Sequence, residues 1–232
     1  MTDKGDMTMR LDNAFAGIVL TAQSFNPSIF TETWLDKNGI LAADSLEGIR
    51  VFSPEVAQFQ TKECQILVIP PKMQITFQVY NVEGDFEVQR NIAIRTIELL
   101  PHTPYQALGL NFDFFVSFPD GENFNSYNRA LLGTGDYQLL QEFSSDDAKF
   151  GRYFSKDHGA ARLKLDIKPV KGGPQNKDLL QFSFNFHHDV AQFDLSERAE
   201  KLIEFIRGWS SLREYSERLV KMGATLKAGG AI

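Results

Sequence analysis

The sequence has a single cysteine, Cys64. One cysteine excludes a disulfide within the chain, and such scarcity is typical of a reducing compartment. No stretch approaches the roughly 20 apolar residues that a membrane-spanning helix needs. The first residues, MTDKGDMTMRLDNAF, are polar and mixed in charge, without the apolar segment of a signal peptide. We therefore expect a cytoplasmic protein that does not enter a membrane.

Basic residues are outnumbered by acidic ones. The 24 lysines and arginines stand against 30 aspartates and glutamates, which gives a formal net charge of −6 and a pI of about 5.3. Proteins that bind nucleic acid through charge usually carry a basic surface. The composition therefore argues against nucleic acid as a partner. We expect a protein partner or self-association, on the contact surfaces described below.

Catalytic signatures are missing as well. The sequence has no nucleophile elbow, zinc-protease helix motif, paired-cysteine motif or EF-hand loop. One histidine–carboxylate grouping is present, His187-His188-Asp189, with His158 earlier in the chain. Adjacent residues on a strand point to opposite faces, so His187 and His188 would not converge on one ion. We therefore predict no metal and no cofactor, and keep a metal-dependent hydrolase or nuclease as an alternative.

Phenylalanine, in contrast, is abundant, with 20 residues against six tyrosines and two tryptophans. Its ring carries no polar group, so most of these side chains should lie in a core or line an apolar pocket. Two segments, YQALGLNFDFFVSF (105–118) and LLQFSFNFHHD (179–189), alternate apolar and polar residues, which predicts strands with one apolar face. The candidate core or pocket residues are Phe112, Phe114, Phe182, Phe184, Phe186 and Trp209.

The polar positions of the same two strands predict a second surface. Asn111 and Asp113 alternate with the apolar residues of the first strand, and Asn185 and His187 do so in the second. If the strands lie in one sheet, these side chains line a polar face. Such a face is a polar groove, a surface covered by a partner, or simply solvated, and the sequence leaves these three interpretations open.

Turn and capping signals divide the first half of the chain. After an opening strand, Asn26-Pro27 begins a helix that continues through Leu35. Strands follow, and Pro70-Pro71 marks a kink, an edge or the break between two strands. The order given next treats this region as one long strand. A helix over 86–100 and the strand over 105–118 complete the order βαββαβ, which is that of a ferredoxin-like unit.

The second half gives the order αββα. A short helix over 125–132 precedes 137–154, which fits a helix and a loop. Arg162–Lys168 alternates as a strand and pairs, through a hairpin loop, with the phenylalanine-rich strand. A long C-terminal helix begins at a capping-box sequence from Asp194, and Gly208 marks a kink in it.

Together these elements predict an α+β fold, with a largely antiparallel sheet backed by helices. No linker-like composition separates the two halves. We therefore expect a single domain over 13–223, with possible halves 13–118 and 125–223, and flexible tails at 1–12 and 224–232.

The function indicated by this pattern is non-catalytic: an interaction or adaptor subunit of a cytoplasmic assembly. A sheet with a polar face, free edges and a long terminal helix offers several contact surfaces. The alternative is a module that binds an apolar small molecule in a phenylalanine-lined pocket between the sheet and the C-terminal helix. Twenty phenylalanines can also fill a core without any cavity.

Overall fold

The computed structural model describes residues 10–79, 86–117, 124–135, 138–172 and 176–224. Within them the strands are β1 (Arg10–Ala22), β2 (Leu46–Phe52), β3 (Ala57–Thr61), β4 (Cys64–Ile69), β5 (Lys72–Val79), β6 (Tyr105–Ser117), β7 (Arg152–His158), β8 (Ala161–Gly172) and β9 (Lys177–Asp189). The helices are α1 (Glu32–Lys37), α2 (Glu87–Leu99), α3 (Phe124–Leu132), α4 (Leu139–Glu142), α5 (Leu195–Arg207) and α6 (Trp209–Ala224).

All nine strands belong to one sheet, in the order β2-β3-β4-β5-β1-β6-β9-β8-β7, and each neighbouring pair is antiparallel. The central pair, β1 and β6, joins the two halves of the chain. On each side a meander of hairpins returns to this centre, β2 to β5 on one side and β7 to β9 on the other. The predicted α+β fold with an antiparallel sheet and a C-terminal helix is confirmed.

The core lies between one face of this sheet and the helices. On β6 every second side chain from Leu108 to Val116 is at most 1% exposed, and the same alternation buries three phenylalanines on β9. The helices α5 and α6 pack against β6, and α2 packs against α5. Because the helices in the described ranges cover only one face, we call this the helix-covered face and its opposite the open face.

The order of elements does not confirm the ferredoxin-like first half. Pro70 and Pro71 form the turn of a tight hairpin, in which Ile69 is paired with Lys72. Of the three interpretations, the break between two strands is therefore confirmed, and the treatment of this region as one long strand was wrong. Proline removes a backbone donor, which a two-residue turn tolerates and a strand interior does not. The expected single helix after Asn26 is also divided, because the Thr31 side chain caps a new helix, α1, after a short 3-10 turn.

The predicted order αββα for the second half was wrong. Residues 152–154, the end of the segment expected to be a helix and a loop, belong to a third strand, β7, and the C-terminal helix is two helices separated at Gly208. Asp194 does precede α5, but its side chain makes no capping hydrogen bond. The kink predicted at Gly208 is present.

The expected tails fall largely outside the described residues. β1 begins at Arg10, inside the segment 1–12, and α6 ends at Ala224. Residues 1–9 and 225–232 are not among those the structure describes. No helix in the described ranges is both long enough and apolar enough to cross a membrane.

Candidate functional site

The polar cluster predicted from sequence is divided between the two faces of the sheet. Asn111, Asp113, Asn185 and His187 lie on the open face, whereas His188 is on the helix-covered face. The prediction that adjacent histidines on a strand diverge is therefore confirmed.

Two members of the cluster are in direct contact. Asn185 Nδ2 donates to Asn111 Oδ1 over 2.7 Å, across the directly opposed positions of β6 and β9. Asp113 lies two residues further along β6. Its pKa is raised because burial disfavours the carboxylate, an effect that hydrogen bonds from Ser183 and Gln181 and the charge of Lys168 reduce. Both sets of contacts are polar interactions between neighbouring strands of the open face.

His187 and Asp189 occupy the end of this face. The positions directly opposite His187 are Gly109 on β6 and Arg162 on β8. The Asp189 side chain accepts a hydrogen bond from the backbone N–H of Ala191 over 2.8 Å, so it closes the turn that follows β9. Among the described residues, no group of three or more histidine, cysteine, aspartate or glutamate side chains is placed to hold a metal ion.

His188 is part of the core. Its ring stacks on Phe205 of α5, with ring centroids 4.1 Å apart and planes 20° from parallel. Burial, with a smaller contribution from nearby His187, lowers the pKa of His188 to about 4. Neither ring nitrogen has a hydrogen-bond partner within the described part of the chain. The neutral imidazole of His188 therefore packs in the core as an aromatic ring.

Cys64, at the start of β4, is buried as well. Burial raises the pKa of its thiol, an effect that a hydrogen bond with Thr61 reduces. A thiol with a raised pKa is a poor nucleophile near neutral pH. The expectation that Cys64 packs as a small apolar residue agrees with this environment.

The predicted apolar residues come together as one aromatic core. Phe112 contacts Phe186 at a centroid distance of 5.9 Å and Trp209 at 4.5 Å, and Phe114 contacts Phe184 at 5.7 Å. All three contacts are edge-to-face or tilted, and edge-to-face packing is a favoured geometry for aromatic pairs. Phe182, the remaining member, is fully buried and lies against the backbone of Gly223.

The sheet edge formed by β7 carries exposed aromatic residues. Tyr153, on the open face, is 61% exposed, and Phe154, on the helix-covered face, is 48% exposed. β7 pairs with β8 through seven consecutive positions without a register shift, and no described residue pairs with its outer side. The strand therefore presents a straight row of backbone donors and acceptors flanked by two aromatic side chains.

Three basic side chains gather at the end of this edge around Tyr215 of α6. The His158 ring stacks on the Tyr215 ring at a centroid distance of 4.2 Å. Lys156 Nζ lies 5.5 Å and Arg218 Cζ 5.1 Å from the same centroid, within cation–π range. We call Lys156, His158 and Arg218 the basic cluster. It lies on the helix-covered side, away from the other candidate histidine, His187.

Comparison of the chain with protein-family models, curated proteins and solved structures gives no significant match. Its function is therefore inferred from its own residues.

Sequence reasoning missed the β7 edge and three of its four distinctive side chains, Tyr153, Phe154 and Lys156. An edge strand is exposed on both faces, so RYFSKDH has no apolar–polar alternation to mark it. The available signal was its content of tyrosine and phenylalanine, which favour strands. The position of Arg218 beside His158 depends on how α6 crosses the sheet, for which the sequence has no signal.

Proposed function

We propose that this chain is a non-catalytic interaction subunit of a cytoplasmic assembly, which adds an extended segment of a partner protein to the free edge of β7. The observation that supports this function is the pair Tyr153 and Phe154, two exposed aromatic side chains on opposite faces of a regular edge strand. In strand addition, backbone hydrogen bonds supply affinity and alternate side chains supply specificity.

The two aromatic residues supply the anchors that such an interface needs. Tyrosine is among the residues enriched at binding hot spots, and burying a large apolar side chain contributes about 1.5–3 kcal/mol. Because Tyr153 and Phe154 lie on opposite faces of β7, a partner strand with its own side chains on both faces would cover both of them. A ligand bound to only one face would leave one ring exposed.

The opposite edge of the sheet, β2, offers a natural comparison. It also exposes apolar side chains, Ile49 at 45% and Val51 at 43%. Its pairing with β3 is irregular between Leu46 and Arg50, where Gly48 has a φ of 63°. Bulges of this kind twist an edge and protect it from further pairing. β7 has no such irregularity, so it is the better template for a partner strand.

Among the residues that the structure describes, no specific contact favours either alternative function. The phenylalanine rings expected to line a pocket contact one another and Trp209. The candidate catalytic histidines lie on both faces of the sheet, so His187 cannot act on the same group as His158 or His188. Both alternatives stay predictions.

The experiment is site-directed photo-cross-linking in the native host. A photoreactive phenylalanine analogue is placed at position 153 on β7 and, as a matched control, at position 51 on β2. Cross-linked peptides are identified by mass spectrometry. The complex is then purified from strains carrying Tyr153→Ser with Phe154→Ser, or Ile49→Ser with Val51→Ser, and weighed by native mass spectrometry.

We expect position 153 to cross-link one continuous segment of a second protein, and position 51 not to. The β7 variant should lose at least nine-tenths of the heteromeric complex, while the β2 variant retains it. Equal cross-linking at both positions, an unchanged complex in the β7 variant, or a cross-link to the terminal residues of the same chain would overturn the proposal.

A further inference from the structure

The basic cluster adjoins the β7 edge on its helix-covered side. Phe154, Lys156 and His158 occupy alternate positions of β7, so their side chains leave the strand on the same face. Their neighbours Leu165, Leu163 and Ala161 on β8 are buried on that face. A strand added beyond β7 would therefore place every second side chain directly beside Phe154, Lys156 and His158.

The positive charges of the cluster have no acidic partner among the described residues. Neither Lys156 nor Arg218 takes part in an ion pair there. The nearest acids along the chain are engaged elsewhere: Asp157 pairs with Arg162 at 3.0 Å on the open face, and Glu217 pairs with Arg213 at 3.3 Å.

Lys156 and Arg218 lie close enough to His158 for their charges to act on its imidazole. Its pKa is lowered, first by burial and then by the charges of Lys156 and Arg218. Like charges held together raise the free energy of the unbound protein, and an anion between them relieves this repulsion.

The overall charge of the chain makes this cluster selective. With a formal net charge of −6, the protein as a whole repels acidic segments. Such repulsion is screened beyond about 8 Å at physiological ionic strength, so a local patch decides the interaction at contact distance. An acidic segment would be stabilised at the basic cluster and disfavoured on the rest of the surface.

We propose that the partner segment is an acidic β-strand, whose carboxylates face Lys156, His158 and Arg218 while an apolar side chain covers Phe154. This inference rests on the strand addition proposed above. Every neighbouring pair of strands in the sheet is antiparallel, so we also assign the added strand an antiparallel orientation relative to β7. Read from its N-terminus, the segment then carries an acidic residue opposite His158, a second acidic residue opposite Lys156, and an apolar residue opposite Phe154, each separated by one residue.

The test uses the purified full-length chain and two fluorescein-labelled peptides, measured by fluorescence anisotropy up to millimolar protein. The first peptide carries acidic, acidic and phenylalanine residues at alternate positions, with threonine between them. The second replaces both acidic residues with glutamine. Binding is measured for the wild type, for Lys156→Gln with Arg218→Gln, and for a control with the same change of charge, Lys164→Gln with Arg207→Gln, at two exposed positions outside the cluster.

We expect the acidic peptide to bind at least tenfold more tightly than its glutamine counterpart, and the cluster variant to lose this preference while the control keeps it. Displacement by millimolar inorganic phosphate would assign the cluster to phosphate and overturn the inference. Equal binding of both peptides, abolished by Tyr153→Ser with Phe154→Ser, would overturn the acidic preference and leave strand addition intact.

The partner segment found by cross-linking at position 153 gives a second readout. It should contain acidic residues at alternate positions beside an apolar one. A cross-linked segment without them would overturn the acidic inference alone, even if neither peptide binds. Failure of both cross-linking and peptide binding would overturn the proposed function together with the inference.

Discussion

Asn128 on α3 is hydrogen-bonded to both backbone groups of Phe150, two residues before β7. Its Nδ2 donates to the Phe150 carbonyl over 2.9 Å, and its Oδ1 accepts from the Phe150 N–H over 2.7 Å. Asn128 is fully buried and Phe150 nearly so. The side-chain amide therefore acts as the partner that a neighbouring strand would provide, and it fixes where the edge strand begins.

Replacing Asn128 with alanine should destabilise the protein by about 2–4 kcal/mol, because two buried backbone groups lose their partners. The measurement is urea unfolding followed by circular dichroism. Asn128→Asp serves as the matched variant: at neutral pH its buried carboxylate keeps the acceptor for the Phe150 N–H but faces the Phe150 carbonyl oxygen, so its loss should be at least as large. At acid pH the protonated carboxyl can donate to that oxygen, so the loss should become smaller. A loss below about 0.5 kcal/mol for the alanine variant would contradict the anchoring role.

Gly151, the next residue, has no room for a side chain. A Cβ there would lie 2.8 Å from the backbone oxygen of Ile167, which cannot move without disturbing β8. We expect Gly151→Ala to cost about 1–3 kcal/mol and to speed hydrogen exchange along β7. Gly172→Ala is the control, since its Cβ would meet only the tip of the Leu179 side chain. If both variants lose the same stability, the clash with the Ile167 backbone oxygen is not the cause of the loss in Gly151→Ala.

Arg198 joins α5 to the loop before it and to β6. Its guanidinium donates to the carbonyl oxygens of Tyr105, Ala191 and Phe193, at 2.9, 2.8 and 2.9 Å. Lysine keeps the charge but cannot reproduce this fork, so Arg198→Lys should cost about 1–3 kcal/mol. Thermal unfolding of Arg198→Lys beside Arg207→Lys, at an exposed position of the same helix, measures the difference. If both variants unfold at the same temperature, the three hydrogen bonds of the Arg198 guanidinium contribute nothing to stability.

His188 should make stability depend on pH in a defined window. In the unfolded chain its pKa is the ordinary 6.5, whereas burial lowers the folded value to about 4. Between these values the unfolded chain binds a proton that the folded chain does not, so the free energy of unfolding falls as pH decreases. The loss across the window is about 3 kcal/mol, and this residue adds no dependence above pH 6.5 or below pH 4.

Replacing His188 with phenylalanine should remove this dependence, because the ring stack on Phe205 remains and the titrating group is lost. Urea unfolding near pH 7.5 and pH 4.5 gives the change in the free energy of unfolding for the wild type and for the variant. The difference between these two changes removes the contributions of the other titrating groups, which both proteins share. His187→Asn, on the open face, should keep most of the wild-type dependence, because burial is the main cause of the lowered His188 pKa. A His188→Phe protein that loses as much stability on acidification as the wild type would exclude this account.

Several parts of the fold were predictable because they depend on neighbours in sequence. The alternation of phenylalanine with polar residues in β9 predicted which side chains are buried, and the same pattern in β6 separated Asn111 and Asp113 from the core. Prolines and glycines were less informative. Pro70-Pro71 is compatible with a kink or with a hairpin turn, and the pairing of β4 with β5 decides between them.

The candidate site was less predictable than the fold. The strand period predicted that the adjacent residues His187 and His188 lie on different faces, but it could not show which other side chains each one meets. The basic cluster joins residues from β7 and α6 that are about sixty positions apart in the sequence. Contacts of this kind follow from how a helix crosses a sheet, which local periodicity does not encode.

The sequence by itself determined the α+β class, the two faces of the central strands and the aromatic character of the core, because periodicity and side-chain hydrophobicity are local properties. Only the tertiary structure decided that β7 exists, that it is a regular edge, and that Lys156, His158 and Arg218 meet around Tyr215. An edge strand is exposed on both faces and pairs on one side, so its formation depends on β8 and on the Asn128 anchor more than on its own residues.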